Sequence, residues 1–91
     1  MAKTYQHDPI SSELDLHALT IDEALLKLDR YLHDAFRSGY YTVRIIHGKG
    51  TGTLRNAVRQ YLAGYSLVKA YRWGEPREGG IGVTIVELSS E

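Results

Sequence analysis

Apolar and polar positions first alternate along the chain, then recur every three or four residues, then alternate again, and this succession lays out the elements. Glu13-Leu14-Asp15-Leu16 alternates. It predicts a short strand with Leu14 and Leu16 on one face and Asp15 on the other, followed by His17. Ile21, Ala24, Leu25, Leu28, Leu32, Ala35 and Phe36 recur at helical spacing. Thr20 with Glu23 three residues on reads as a capping box, Asp22 and Glu23 suit the positive helix end, and Gly39 is a natural stop. Residues 41–47 are β-branched and aromatic and predict a second strand. Leu54, Ala57, Val58, Tyr61, Leu62 and Tyr65 mark the buried stripe of a second helix, with Arg55 and Arg59 sharing its outer face. Residues 66–73 and 83–88 predict a third and a fourth strand, joined by a glycine-rich loop over 74–82. Residues 1–12 are polar and lack a period; they read as a flexible arm or linker remnant before a domain spanning 13–91.

The order β-α-β-α-β-β predicts an α/β fold, a two-layer sandwich with a four-stranded mixed sheet and two helices on one face. Right-handed crossovers favour parallel neighbours for the first three strands, and the fourth returns antiparallel to the third. The other sheet face is expected to stay partly open, lined by Arg44, Lys69, Tyr71 and Trp73. No internal repeat or low-complexity segment interrupts this plan.

Length and composition narrow it further. Ninety-one residues make one domain, with room for one compact core, and 43% apolar residues suffice to fill it. The chain has no cysteine, which excludes disulfides and thiolate metal sites. No apolar run approaches the roughly 20 residues of a membrane span, and the first residues lack the apolar stretch of a signal peptide, so a cytosolic location away from membranes is expected. The net charge is zero, which by itself argues against a nucleic-acid partner. Its distribution argues the reverse. From Ala35 to Gly74 there is no Asp or Glu, while Arg37, Arg44, Lys49, Arg55, Arg59, Lys69 and Arg72 all fall in that window. Such asymmetry focuses a positive field on part of the surface.

The densest chemistry lies in Val43 to Val58, VRIIHGKGTGTLRNAV. A nucleoside-triphosphate P-loop requires glycine where Val43 stands and Ser or Thr where Gly50 stands, so that pattern fails. A dinucleotide fingerprint fails too, because its third glycine comes one residue early, at Gly52. What remains is a backbone cradle for a phosphodiester. Gly48, Gly50 and Gly52 admit close approach, and the first-turn N–H groups of the following helix face an anion. Lys49 adds a cation, and Thr51 and Thr53 add hydroxyls. Arg55, Arg59 and Arg72 extend a backbone track, and Trp73 or Tyr71 offers a ring for a base.

In a βαβ unit the C-terminal strand ends share one sheet edge with the helix N-termini, and ligands bind there. Asp15, His17, His47 and Lys49 are therefore expected to converge. Histidine is the usual proton carrier near neutral pH, and a carboxylate two residues away can orient an imidazole. With RNA the internal 2′-OH is a ready nucleophile, and a base plus an acid suffice without a cofactor. With DNA an external water must attack, and a divalent metal is the usual helper. Too few ligands gather here for a dedicated metal site. His7 and His33 are assigned no chemistry.

ELDLHALTIDEALLKLDRYL, VRIIHGKGTGTLRNAV and GGIGVTIVEL together closely resemble the small MutS-related, or Smr, domain, from about Leu14 to Leu88. The ending GEPREGGIGVTIVEL looks most like the Smr domain at the C-terminus of the bacterial MutS paralogue that acts outside mismatch repair. The resemblance implies a fold like the C-terminal domain of translation initiation factor three, with nucleic-acid binding and endonuclease activity. Some members nick DNA, in recombination control or repair; others cleave messenger RNA at stalled ribosomes. It therefore implies DNA or RNA as partner, the ribosome in some settings, and covalent attachment to a larger ATPase in others. A docking domain without catalysis is the alternative. The D-L-H motif, here Asp15 to His17, is linked in the family to cleavage, and H-G-K-G, here His47 to Gly50, to binding and activity. The family commonly reads D-L-H-G, whereas here the fourth residue is Ala18. If that position requires φ > 0, alanine costs about 1 kcal/mol or more.

Overall fold

The computed structural model describes residues 10–89. Residues 1–9 of the expected arm, His7 among them, lie outside the described residues, as do 90 and 91. The elements run β1 (Glu13–Asp15), α1 (Ile21–Arg37), β2 (Thr42–Ile46), α2 (Thr53–Ala63), β3 (Val68–Trp73) and β4 (Val83–Leu88). Two single 3-10 turns, Pro76–Glu78 and Gly80–Gly82, lie between β3 and β4. Residues 10–12, expected in the arm, belong to the folded unit. The Tyr40 hydroxyl donates to the Ile10 carbonyl, the Tyr31 hydroxyl to that of Ser11 at 2.5 Å, and the Arg44 N–H to that of Ser12 at 2.9 Å.

α1 begins where its sequence says it should. The Thr20 hydroxyl accepts from the Glu23 N–H at 3.2 Å, and the Glu23 carboxylate accepts from the Thr20 N–H at 3.1 Å. Its apolar stripe buries Ala24, Leu28, Tyr31, Leu32 and Ala35. Val58 and Leu62 of α2 pack into the same cluster, against Leu14, Leu16, Val43, Ile45, Val86 and Leu88 of the sheet. The α1 and α2 backs meet through the Tyr61 hydroxyl, which donates to Asp29. His33 is exposed. No helix among the described residues is long and apolar enough to cross a membrane.

The strand order is β1-β2-β4-β3. β1 and β2 are parallel, and β4 runs antiparallel to both β2 and β3. The two-layer mixed sheet is as expected, but β3 does not neighbour β2. The crossover through α2 skips one position, and β4 returns to fill it. The reason is burial. β4 is buried at every position except Glu87, whereas β3 has no fully buried residue. The near-continuous apolar strand takes the centre and the charged one the edge.

This pairing also corrects the sheet faces. Tyr71 pairs with Val86 and Trp73 with Thr84, so both rings lie on the helix-covered side. Arg72 pairs with Ile85, which pairs in turn with Arg44, so these two arginines share the far face. Lys69 sits exposed in a bulge between Val68 and Ala70. The far face is partly covered by the 74–82 loop, which folds back over it. A Cβ built on Gly79 would come within 2.4 Å of Val83 Cγ2, and φ there is +114°. Glu78 anchors the loop, with the Arg72 guanidinium donating to its two carboxylate oxygens at 2.9 and 3.1 Å.

Between β1 and α1 the chain turns at Ala18, the single non-glycine residue with positive φ among those described, at +70°. An L side chain there costs about 1–2 kcal/mol. Replacing Ala18 by Gly is expected to raise unfolding free energy by about 1 kcal/mol, after the larger unfolded-state entropy of glycine is set against the relieved strain. Thermal and denaturant unfolding of the two forms measure it; an unchanged or lower midpoint would show that the turn carries no strain.

Candidate functional site

The parallel pairing of β1 and β2 brings their C-terminal ends together. The Leu16 N–H donates to the Ile46 carbonyl at 2.7 Å, one step beyond the strand. A Cβ placed on Gly48 would lie 3.6 Å from the His17 Cβ. The D-L-H and H-G-K-G stretches therefore touch, as the spacing of elements predicts.

A cleft of about 330 Å3 opens beside this contact, lined by residues 18–21 and 47–55. Both helices begin at its wall, but they differ. α1 is closed by its capping box. α2 starts after Gly52, at φ +91°, with no side-chain cap and no acidic residue in its first turn. Its first backbone bond runs from the Asn56 N–H to the Gly52 carbonyl, at 2.9 Å. Leu54 and Arg55, both lining the cleft, precede that bond, so their N–H groups have no intrahelical acceptor. Unsatisfied donors and the positive helix end favour an anion. The Thr51 and Thr53 hydroxyls bond to each other at 2.9 Å on the rim. Lys49 is exposed there.

Gly52 is required by its backbone conformation, at φ +91°, and any Cβ there would also displace the Arg55 guanidinium. A Cβ on it would come 2.6 Å from Arg55 Nη2. Arg55 folds back over the turn and donates to the Lys49 carbonyl at 3.2 Å. Its guanidinium also lies 5.6 Å from the Trp73 ring centroid. Arg59, one turn on, lies 4.0 Å from the Trp73 centroid and 5.0 Å from that of Tyr71. The expected cationic track and aromatic rings thus interleave across α2 and β3. Arg72 does not join them. It lies on the opposite face and is paired with Glu78.

The two histidines of the expected proton-transfer pair have different surroundings. His17 is exposed, and its Nδ1 lies 2.5 Å from Asp15 Oδ1. The same oxygen accepts the His17 N–H at 3.1 Å. These two bonds hold the Asp15 carboxyl below its usual pKa. His47 is 4% exposed. Its Nδ1 lies 3.1 Å from the Gly48 carbonyl oxygen and its Nε2 2.8 Å from Thr84 Oγ1. A carbonyl can only accept, so Nδ1 carries the proton and Nε2 accepts from the Thr84 hydroxyl. Burial pushes the His47 pKa down, and the nearby Arg55 and Arg59 charges add to that, while the Gly48 carbonyl opposes it.

Two residues that the sequence reading did not single out support the turn from below. The Gly82 carbonyl accepts from both the His47 and the Gly48 N–H, at 3.0 and 2.9 Å. Thr84 is fully buried under His47. The signal was a lone hydroxyl inside the apolar run VTIVEL.

The lowered His47 pKa has a definite sign in stability. Below pH 6.5, the ordinary value for the imidazole, the unfolded chain binds a proton that the folded chain resists. Stability is therefore expected to fall as pH drops from 6.5 towards the depressed folded value. His47→Gln should flatten that slope, whatever its effect on stability at neutral pH. Urea unfolding at successive pH values compares the two; an equal slope in both would assign the effect elsewhere.

The profile of the Smr domain family matches residues 14–89. The chain is 55% identical over 80 residues to a protein named endonuclease MutS2 from Pelotomaculum thermopropionicum, covering 88% of this chain and 10% of that protein. It is 54% identical over 79 residues to the protein of that name from Geobacillus kaustophilus, covering 87% and 10%. The chain thus spans about a tenth of the length of these relatives. Among solved structures, the Smr domain of Thermus thermophilus MutS2 superposes with a TM-score of 0.83 at 47% identity, over 85% of this chain and 96% of that one. YdaL, a stand-alone small MutS-related protein from Escherichia coli, gives 0.80 at 30% identity, over 88% and 66%. Sequence motifs, strand order and superposition agree, and the chain belongs to the Smr domain family.

Proposed function

We propose that this domain binds a nucleic-acid strand at the Gly48–Thr53 turn and cleaves a phosphodiester bond there. The observation that carries the reading is an exposed histidine, its imidazole held by a carboxylate, whose Cβ packs beside Gly48 of a glycine turn that leads into an uncapped helix. The endonuclease name of the relatives supports it.

In this reading the phosphate sits against the first-turn N–H groups of α2, with Lys49 and the Thr51 and Thr53 hydroxyls around it. Donors already fixed in the backbone stabilise charge that grows on the phosphorane without reorganising. Asp15 holds His17 through Nδ1, which leaves Nε2 to take or give the proton. His47, closed in by Thr84 and the Gly48 carbonyl, orients the turn rather than exchanging protons with substrate. Arg55 and Arg59 hold the strand further along. With RNA, the 2′-OH attacks phosphorus as His17 Nε2 takes its proton, and the same imidazolium then returns that proton to the departing 5′-oxygen. With DNA, water is the nucleophile, and a divalent cation is the group that would activate it. Among the described residues no three His, Asp or Glu side chains gather to hold such an ion, so Asp15 and His17 would be at most two of its ligands.

A docking role without cleavage is the second reading. The observation in its favour is Ala18, which lines the cleft and puts a methyl group where the family commonly has none. The retained positive φ weighs against it, because the backbone beside His17 keeps the conformation that glycine would give.

Replacing both Asp15 and His17 by alanine is expected to lower cleavage of labelled single strands by about a hundredfold or more, the usual worth of general acid–base catalysis. Binding should stay close to that of the parent. Lys49→Ala should weaken binding and lower its salt slope by about one. Undiminished cleavage by the double variant would end the nuclease reading. Using an RNA and its 2′-deoxy analogue, each with and without chelator, separates the two routes.

A further inference from the structure

The Gly48–Lys49 backbone forms a ridge with a cleft on each side. The helix-side cleft is the one described above. On the far face of the sheet a second, wider cleft of about 610 Å3 runs between Ile46 of β2 and the folded 74–82 loop. Lys49 lines both.

The charges in the second cleft are not what its composition suggests. Glu13 is taken by the Arg44 guanidinium. Glu78 is taken by Arg72, which holds its carboxyl down at a pKa of about 2, and the Glu78 carbonyl also accepts from Arg44 at 3.4 Å. Among the described residues, Lys49 and Arg77 are the lining cations left without an acidic partner. They stand on opposite walls, one on the ridge and one on the loop. Asp15 projects on this side of the sheet, since it pairs in register with Ile46, and it anchors His17 against the ridge.

We propose that the far-face cleft is a second subsite, occupied by the sugar-phosphate backbone of the substrate strand on one side of the cleaved bond. Arg77 is the binding residue there. The strand crosses the Gly48–Lys49 ridge beside His17, with one segment against α2 and the next between β2 and the loop. Glu78 serves as a positioning residue. By pairing with Arg72 it fixes the 3-10 turn that carries Arg77, while Gly79 lets the loop lie close on Val83. This inference rests on the phosphodiester reading of the turn and extends it to a second stretch of the same strand.

Fluorescein-labelled single-stranded DNA and RNA of roughly 12 nucleotides, within the span a small binding fold covers, are the probes, titrated into the 91-residue chain at several salt concentrations. Arg77→Ala is expected to lower the slope of log affinity against log salt by about one. Its affinity loss between about 50 and 200 mM salt should then be about threefold smaller than that of the parent. Arg77→Glu should lower the slope at least as far. Arg37→Ala removes the same charge at the other end of α1, about 25 Å along its axis, and should leave the slope unchanged. An unaltered slope in Arg77→Ala, alongside weakened binding by Lys49→Ala, would overturn the second subsite and leave the first standing. An equal drop in Arg37→Ala would overturn it too, as a diffuse charge effect. Absence of salt-dependent binding by the parent would remove the phosphodiester reading itself.

Discussion

The site depends on a single carbonyl. Gly82 enters β4 with its oxygen accepting two successive N–H groups, those of His47 and Gly48, where β2 gives way to the glycine turn. Without that acceptor, two donors beside a buried side chain would lack partners, at a cost of order 1–3 kcal/mol each. With it, the turn is fastened to the central strand of the sheet. His47 continues the fastening one layer down through Thr84 of the same strand. The run Gly48 to Gly52 is therefore fastened to the sheet at its first residue, and a fixed edge is what an anion site needs if charge is to be stabilised without reorganisation.

From this constraint follows a division of labour between the histidines. His47 is spent on holding the turn, with both nitrogens engaged and its charged form resisted by burial. His17 rests on the outside of the same turn, exposed, with one nitrogen held by Asp15. Ala18 keeps the left-handed turn that releases His17 from β1 towards Gly48. A backbone conformation that an L residue adopts only at a cost persists because the strand end and the helix cap on either side are both fixed, by Leu16 bonding to Ile46 and by the Thr20–Glu23 box.

A chain of zero net charge can still present a positive surface, because its charges are neutralised selectively. Arg44 and Arg72 are consumed by Glu13 and Glu78 on the far face. Arg55 and Arg59 are held instead by the faces of Trp73 and Tyr71, which position a guanidinium without cancelling its charge. One nitrogen of Arg59 is buried with no hydrogen-bond acceptor among the described residues. Ring contact has taken the place of an ion pair there, and the guanidinium keeps its charge.

Local patterns were enough to place the helices, because capping and the 3.6-residue period act within a few residues: Thr20, Glu23 and Gly39 bound α1, and Leu28, Leu32, Val58 and Leu62 set the core-facing stripes. They also placed the meeting of His17 with the glycine turn, since parallel strands joined by one helix must end on one edge. Strand order was different. The position of β4 between β2 and β3 is a contest among whole strands for the most buried slot, and no window of the sequence contains it. The consequences of that insertion were equally out of local reach: Tyr71 and Trp73 on the helix side, Arg72 on the far side, and Gly82 and Thr84 beneath His47. The sequence by itself determined where the helices begin and end and that two motifs converge. Tertiary structure alone decided which of their cations stay unpaired and which histidine meets solvent, because pairing and burial are properties of neighbours brought together from distant parts of the chain.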